Sequence, residues 1–122
     1  MSIGSANKYQ THSTATLSGT LTLTKSSASH QALDPGGSAR NVDLPDMGAF
    51  GSGTFHIDNT ADGSEVITLR DAANSNATVG TPTQNESATC YWSSDGAVAT
   101  ATGGTDAETT VAKWICVVGA AN

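Results

Sequence analysis

Three histidines, His12, His30 and His56, are the first residues of this chain that could do chemistry, as metal ligands or as acid–base groups. No two of them stand at a zinc-binding spacing such as HxxxH. His56 falls on the polar parity of its segment, so the expectation is three histidines that face solvent. The run Asp58-Asn59-Thr60-Ala61-Asp62-Gly63 has the first and fifth carboxylates and the sixth-position glycine of a calcium loop. It has Thr60 at its third position and Leu69 where the bidentate glutamate should stand, so its strongest donor is missing and a hairpin turn explains the residues. Cys90 and Cys116 are the only two cysteines, and neither belongs to a CxxC pair or lies beside a histidine. They read as buried thiols acting as small hydrophobes, or as a disulfide if their two strands are neighbours. Serines abound, yet no GxSxG elbow occurs, and Gly36-Gly37-Ser38 and Gly51-Ser52-Gly53 precede no helix that could cradle a phosphate. Asn76-Ala77-Thr78 and Asn85-Glu86-Ser87 fit the glycosylation sequon, but the N-terminus carries no apolar run of a secretion signal. The expectation is therefore a chain with no catalytic residues, no cofactor and no metal, and not an enzyme.

The elements that carry these residues are short strands. Over residues 14–24, Leu17, Leu21 and Leu23 share one parity while Thr16, Thr20, Thr22 and Thr24 share the other, which predicts a strand with Gly19 as a bulge. Further strands are predicted over 30–33, 39–44, 54–59, 65–70, 77–79, 87–92, 97–102 and 110–118. Turn signals separate them, the strongest being Asp34-Pro35-Gly36-Gly37. No segment has a helical period, and no internal repeat is visible. Residues 1–13 are polar and without period, and read as a flexible arm; residues 14–122 read as one β domain. The fold expected is all-β, a small antiparallel β-sandwich or barrel. Strand parity places Leu17, Leu21, Leu23, Val42, Leu44, Phe55, Ile57, Val66 or Ile67, Leu69, Trp114, Cys116 and Val118 in its core.

Composition bounds what such a domain can do. Ala, Ser and Thr supply 18, 14 and 18 of the 122 residues, whereas Leu, Ile, Val and Phe together supply 19. A core that small is helped by sharing apolar surface with neighbours, so self-association is expected. Five Lys and Arg stand against eleven Asp and Glu, for a net charge of -6. The cations are scattered at Lys8, Lys25, Arg40, Arg70 and Lys113, which argues against nucleic acid as a partner. No apolar stretch approaches the roughly 20 residues that span a bilayer, so no membrane partner is expected.

The central stretch resembles a known family. Leu33-Asp34-Pro35-Gly36-Gly37-Ser38-Ala39-Arg40-Asn41-Val42-Asp43-Leu44-Pro45, then Gly53-Thr54-Phe55-His56-Ile57-Asp58-Asn59-Thr60-Ala61-Asp62, then Glu65-Val66-Ile67-Thr68-Leu69-Arg70-Asp71 resemble the small proteins that decorate and cement the capsids of tailed bacteriophages. The resemblance covers roughly residues 14 to 118. It implies a β-tulip-like homotrimer on true or local threefold axes of the head, made in the host cytoplasm and seated on the capsid's outer surface. It also implies an N-terminal arm that reaches the major capsid protein. Within that arm Ile3, Lys8 and Tyr9 are the candidate capsid contacts. Two other readings stay open. One is a different virion β module, such as a head fibre, tail or receptor-binding part. The other is a carbohydrate-binding or adhesin domain, which would need Tyr91, Trp92 or Trp114 exposed.

Overall fold

The computed structural model describes residues 12–94 and 112–120. The arm with Ile3, Lys8 and Tyr9, and the strand expected over 97–102, lie outside the described residues. The regular structure of these residues is almost entirely strand: β1 (His12–Thr16), β2 (Leu21–Thr22), β3 (His30–Asp34), β4 (Arg40–Leu44), β5 (Thr54–Asn59), β6 (Ile67–Asp71), β7 (Ala77–Gly80), β8 (Glu86–Ser93) and β9 (Lys113–Ala120). A single turn of 3₁₀ helix, Ala72–Asn74, follows β6. The all-β expectation holds for these residues. His12 and Ser13, expected in the arm, already belong to β1.

The strands form two mixed sheets, one ordered β1-β3-β5-β8-β9 and the other β2-β4-β6-β7. The expected antiparallel arrangement is corrected for the first half of the chain. There β1–β3, β3–β5, β2–β4 and β4–β6 all pair in parallel. The reason is the path. From β1 to β6 the chain crosses to the other sheet after every strand, so each return to a sheet runs in the direction of the last visit. Three two-strand coils result, stacked one on the next. The second half closes the sheets with antiparallel partners: β7 on β6, β8 on β5, and β9 on β8.

The corners of successive coils are bonded together. The amide of Leu17 donates to the Asp34 carbonyl at 2.7 Å, and the amide of Thr60 to the Leu33 carbonyl at 2.8 Å. Gly19 is not a bulge within one strand but part of the corner where the chain leaves the first sheet for the second. At the corner above it, Gly36 has φ +77, and a Cβ there would lie 2.5 Å from the Leu17 carbonyl oxygen. Only glycine allows the two corners to approach so closely. The Asp34 carboxylate accepts from the Gly36 amide at 2.9 Å and fixes the turn.

Alternation puts one face of each strand inward. Leu33, Phe55, Ile57, Ala88, Cys90, Trp92 and Trp114 from the first sheet meet Val42, Leu44, Ile67 and Leu69 from the second in one buried cluster, to which Leu17 and Leu23 also belong. The expected core is largely found there; Ile67, not Val66, is its buried member, and Leu21 and Cys116 are only partly buried. Val118 is the exception, at 36% exposure. It sits on the edge strand β9 opposite Gly80, which has no side chain to cover it. Cys90 and Cys116 are direct partners on β8 and β9 and are joined in a disulfide, which corrects the reading as free thiols. Ile57 is fully buried on the central strand of its sheet. Its truncation to alanine is expected to cost about 2–5 kcal/mol in urea unfolding; a loss below about 0.5 kcal/mol would mark a surface position.

Candidate functional site

The outward face of the first sheet gathers the titratable side chains. Parallel register sets His12 opposite His30 and His30 opposite His56, so the three histidines form one row across β1, β3 and β5. Their rings stack, with centroids 4.4 Å apart for His12 and His30 and 4.9 Å apart for His30 and His56. Thr89 of β8 pairs with His56 and extends that row, and in the next row on this face Asp58 of β5 pairs with Ser87 of β8.

Asp58 ties the row together. Its carboxylate takes His30 Nε2 at 2.7 Å on one oxygen and His56 Nε2 at 3.0 Å on the other. The Ser87 hydroxyl also donates to it. Burial acts to raise the pKa of Asp58. The hydrogen bonds from Ser87 and His30 and the charges of His56 and His30 outweigh it, and hold the carboxyl below its ordinary value of 3.8. An ionised carboxylate only accepts, so both imidazoles present Nε2–H to it. In the neutral ring of His56, Nδ1 is then an acceptor, and the Thr89 hydroxyl stands 3.1 Å from it to donate.

The chemistry open to this arrangement is that of two imidazole nitrogens and a carboxylate converging at an exposed face. His30, His56 and Asp58 each offer one donor atom, all within 4.8 Å of one another. Each histidine faces solvent in part, as its residue type predicts, but none stands alone. Their chain spacing hides this, because the coils between them differ in length. Ser87 and Thr89 are the members that residue type and spacing did not single out, and Asp58 stood out only as a carboxylate of the calcium-like run. The one signal was that His56 and Asp58 share a parity with Phe55 and Ile57 on the other. The calcium-like loop resolves differently: Asp58 turns to the histidines, while Asp62 groups with Asp34 and Glu65, so its two carboxylates serve separate clusters. Trp92 and Trp114 are buried, and their indoles donate to the carbonyls of Gly48 and Pro45, both at 2.8 Å. Of the aromatics a sugar-binding platform would need, Tyr91 alone is exposed among these three. Ile3, Lys8 and Tyr9 lie outside the described residues. Among the described residues no helix is long and apolar enough to cross a membrane. No protein-family model, curated protein or solved structure matches the chain.

Because the folded pKa of Asp58 is lowered, its contribution to stability is present above the ordinary value of 3.8 and is lost as pH falls through the folded value below it. Asp58→Ala is expected to lower stability by about 1 kcal/mol at neutral pH, and by progressively less as pH falls through that window. Thermal unfolding of both proteins across the acid range checks this; an equal deficit at every pH would contradict the assignment.

Proposed function

We propose that the chain is a structural virion protein that decorates and cements a phage capsid, acting as a homotrimer without enzymatic activity. In this reading the two sheets form a small β-tulip-like sandwich, and the residues before β1 form the arm that reaches the major capsid protein. The sequence resemblance brings the reading forward. The observation that carries it furthest is that, among the described residues, no further strand pairs with β1 or β9 at the two edges of the five-stranded sheet. Native proteins usually cover or charge such edges, because unpaired backbone groups there recruit further strands. At one edge, β1 directly continues residues 1–11. Extended, a segment of that length reaches on the order of 35–40 Å, far enough to add a strand to a neighbouring sheet. At the other edge, β9 leaves Val117 66% exposed on the same outward face as Tyr91 of β8, which is 45% exposed, an apolar pair that suits contact between copies.

Two further features support the reading. Leu, Ile, Val and Phe supply only 19 of the 122 residues, and association adds apolar burial to so small a supply. The Cys90–Cys116 disulfide suits a surface that meets oxidising surroundings once particles leave the cell. Cementing needs no more than binding across several capsid subunits, because a clip that binds only the assembled shell stabilises that shell.

The test is addition of purified protein to heads assembled without it. The full chain is expected to sediment as a trimer and to saturate the heads. Removal of residues 2–11, which stops short of β1, is expected to leave the trimer intact and weaken head binding at least tenfold, about 1.4 kcal/mol. A 12.3 kDa monomer that leaves the heads bare would overturn the proposal. Unchanged affinity after the truncation would remove the arm from it and place the contact on the folded part.

A further inference from the structure

We infer that His30, His56 and Asp58 form a binding site for a divalent transition-metal ion of the zinc class, on the outward face of the five-stranded sheet. The inference rests on the convergence of atoms, independently of any role on a capsid. His30 Nε2 and His56 Nε2 both point at Asp58, at 2.7 Å and 3.0 Å from its two oxygens. The three donor atoms lie within 4.8 Å of one another. In a tetrahedral zinc centre with Zn–N near 2.0–2.1 Å, donors stand about 3.3 Å apart, so modest side-chain rotation closes the set around one ion. The backbone needs no change, because the parallel register of β3 and β5 already fixes the two histidines side by side.

The donor set selects the ion. Two imidazoles and one carboxylate suit zinc and its neighbours, copper and nickel, whereas calcium and magnesium require oxygen ligands throughout. A fourth donor is close at hand. His12 is next in the row, its ring 4.4 Å from that of His30, and water is the alternative, since the side chains of His30 and His56 are 41% and 42% exposed.

The surrounding groups are those a metal site uses to orient its ligands. Ligation at Nε2 moves the neutral ring's proton to Nδ1. The Thr89 hydroxyl, 3.1 Å from His56 Nδ1, donates to that nitrogen in the free protein and can turn to accept from it in the metal-bound one. Ser87 donates to the Asp58 carboxylate and holds it in place. A metal here bridges β3 and β5, and reaches β1 if His12 joins. It therefore ties successive coils to one another from outside the core, and stabilises the folded chain by mass action.

The experiment is calorimetric titration of the intact, disulfide-bonded protein with zinc chloride, alongside His30→Ala, His56→Ala and a calcium chloride control. One zinc per chain is expected, with each histidine variant weakening it at least tenfold and calcium giving no matching isotherm. Thermal unfolding is expected to shift upward with zinc in the parent protein and not in the variants. A second readout avoids substitution altogether: imidazole ¹⁵N spectra of the parent protein should show Nε2 of His30 and His56 shifting together on zinc addition. Absence of a saturable isotherm would overturn the site. So would zinc binding of equal strength in both variants, or ¹⁵N shifts confined to other histidines.

Discussion

The backbone ladder that joins β1, β3 and β5 in parallel register decides which side chains meet. On its inner side it brings Leu33 and Ile57 to the core; on its outer side it lines up His12, His30 and His56. The companion ladder of β2, β4 and β6 does the same for Leu21, Val42 and Leu69. Neither ladder stops at the strand ends. The Leu23 amide donates to Asp43 at 2.9 Å and the Arg40 amide to Val66 at 3.0 Å, so the coils stay bonded around their corners. Arg70 clamps the second sheet with a fork onto Asp43, at 2.6 and 2.9 Å.

A chain this poor in large apolar residues leans on polar pins where coil meets cap. Buried Asn59 donates to the carbonyls of Glu65 and Pro82 and accepts from the Ala61 amide, holding the third corner to the segment before β8. Buried Asp71 accepts from the Ala73 amide, the Asn74 side chain and the Trp114 amide, joining β6, the 3₁₀ turn and β9. Each such group is satisfied, which is the condition for a buried polar atom to hold a fold together and not weaken it. Trp114 completes the join, its ring 5.5 Å from both Phe55 and Trp92. The disulfide covers the remaining need by fixing β9 to β8.

Side-chain parity was legible in the residues and strand pairing was not. Phe55 and Ile57 inward with His56 and Asp58 outward follows from alternation alone, and so does Val42 with Leu44. Alternation looks the same in parallel and antiparallel strands, however, so the direction of β3 against β5 had no signal in either. The leucines and threonines of residues 14–24 read as one strand because their parity survives the corner at Gly19, although β1 and β2 belong to different sheets. The disulfide and the histidine row share this origin. Cys90 with Cys116, and His30 with His56, become partners only once the pairing is known. The unequal coils also conceal the repeated path, since register partners such as Leu21, Val42 and Leu69 stand at no fixed period.

The parallel ladder is therefore the central claim, and backbone proton contacts in a nuclear Overhauser spectrum test it most directly. Cross-strand contacts between β3 and β5 are expected to rise together along the chain, joining residues 30 with 56, 31 with 57, 32 with 58 and 33 with 59. Contacts in which one residue number climbs while the other falls, as β5 makes with β8, would contradict the stacked coils and dissolve the histidine row with them.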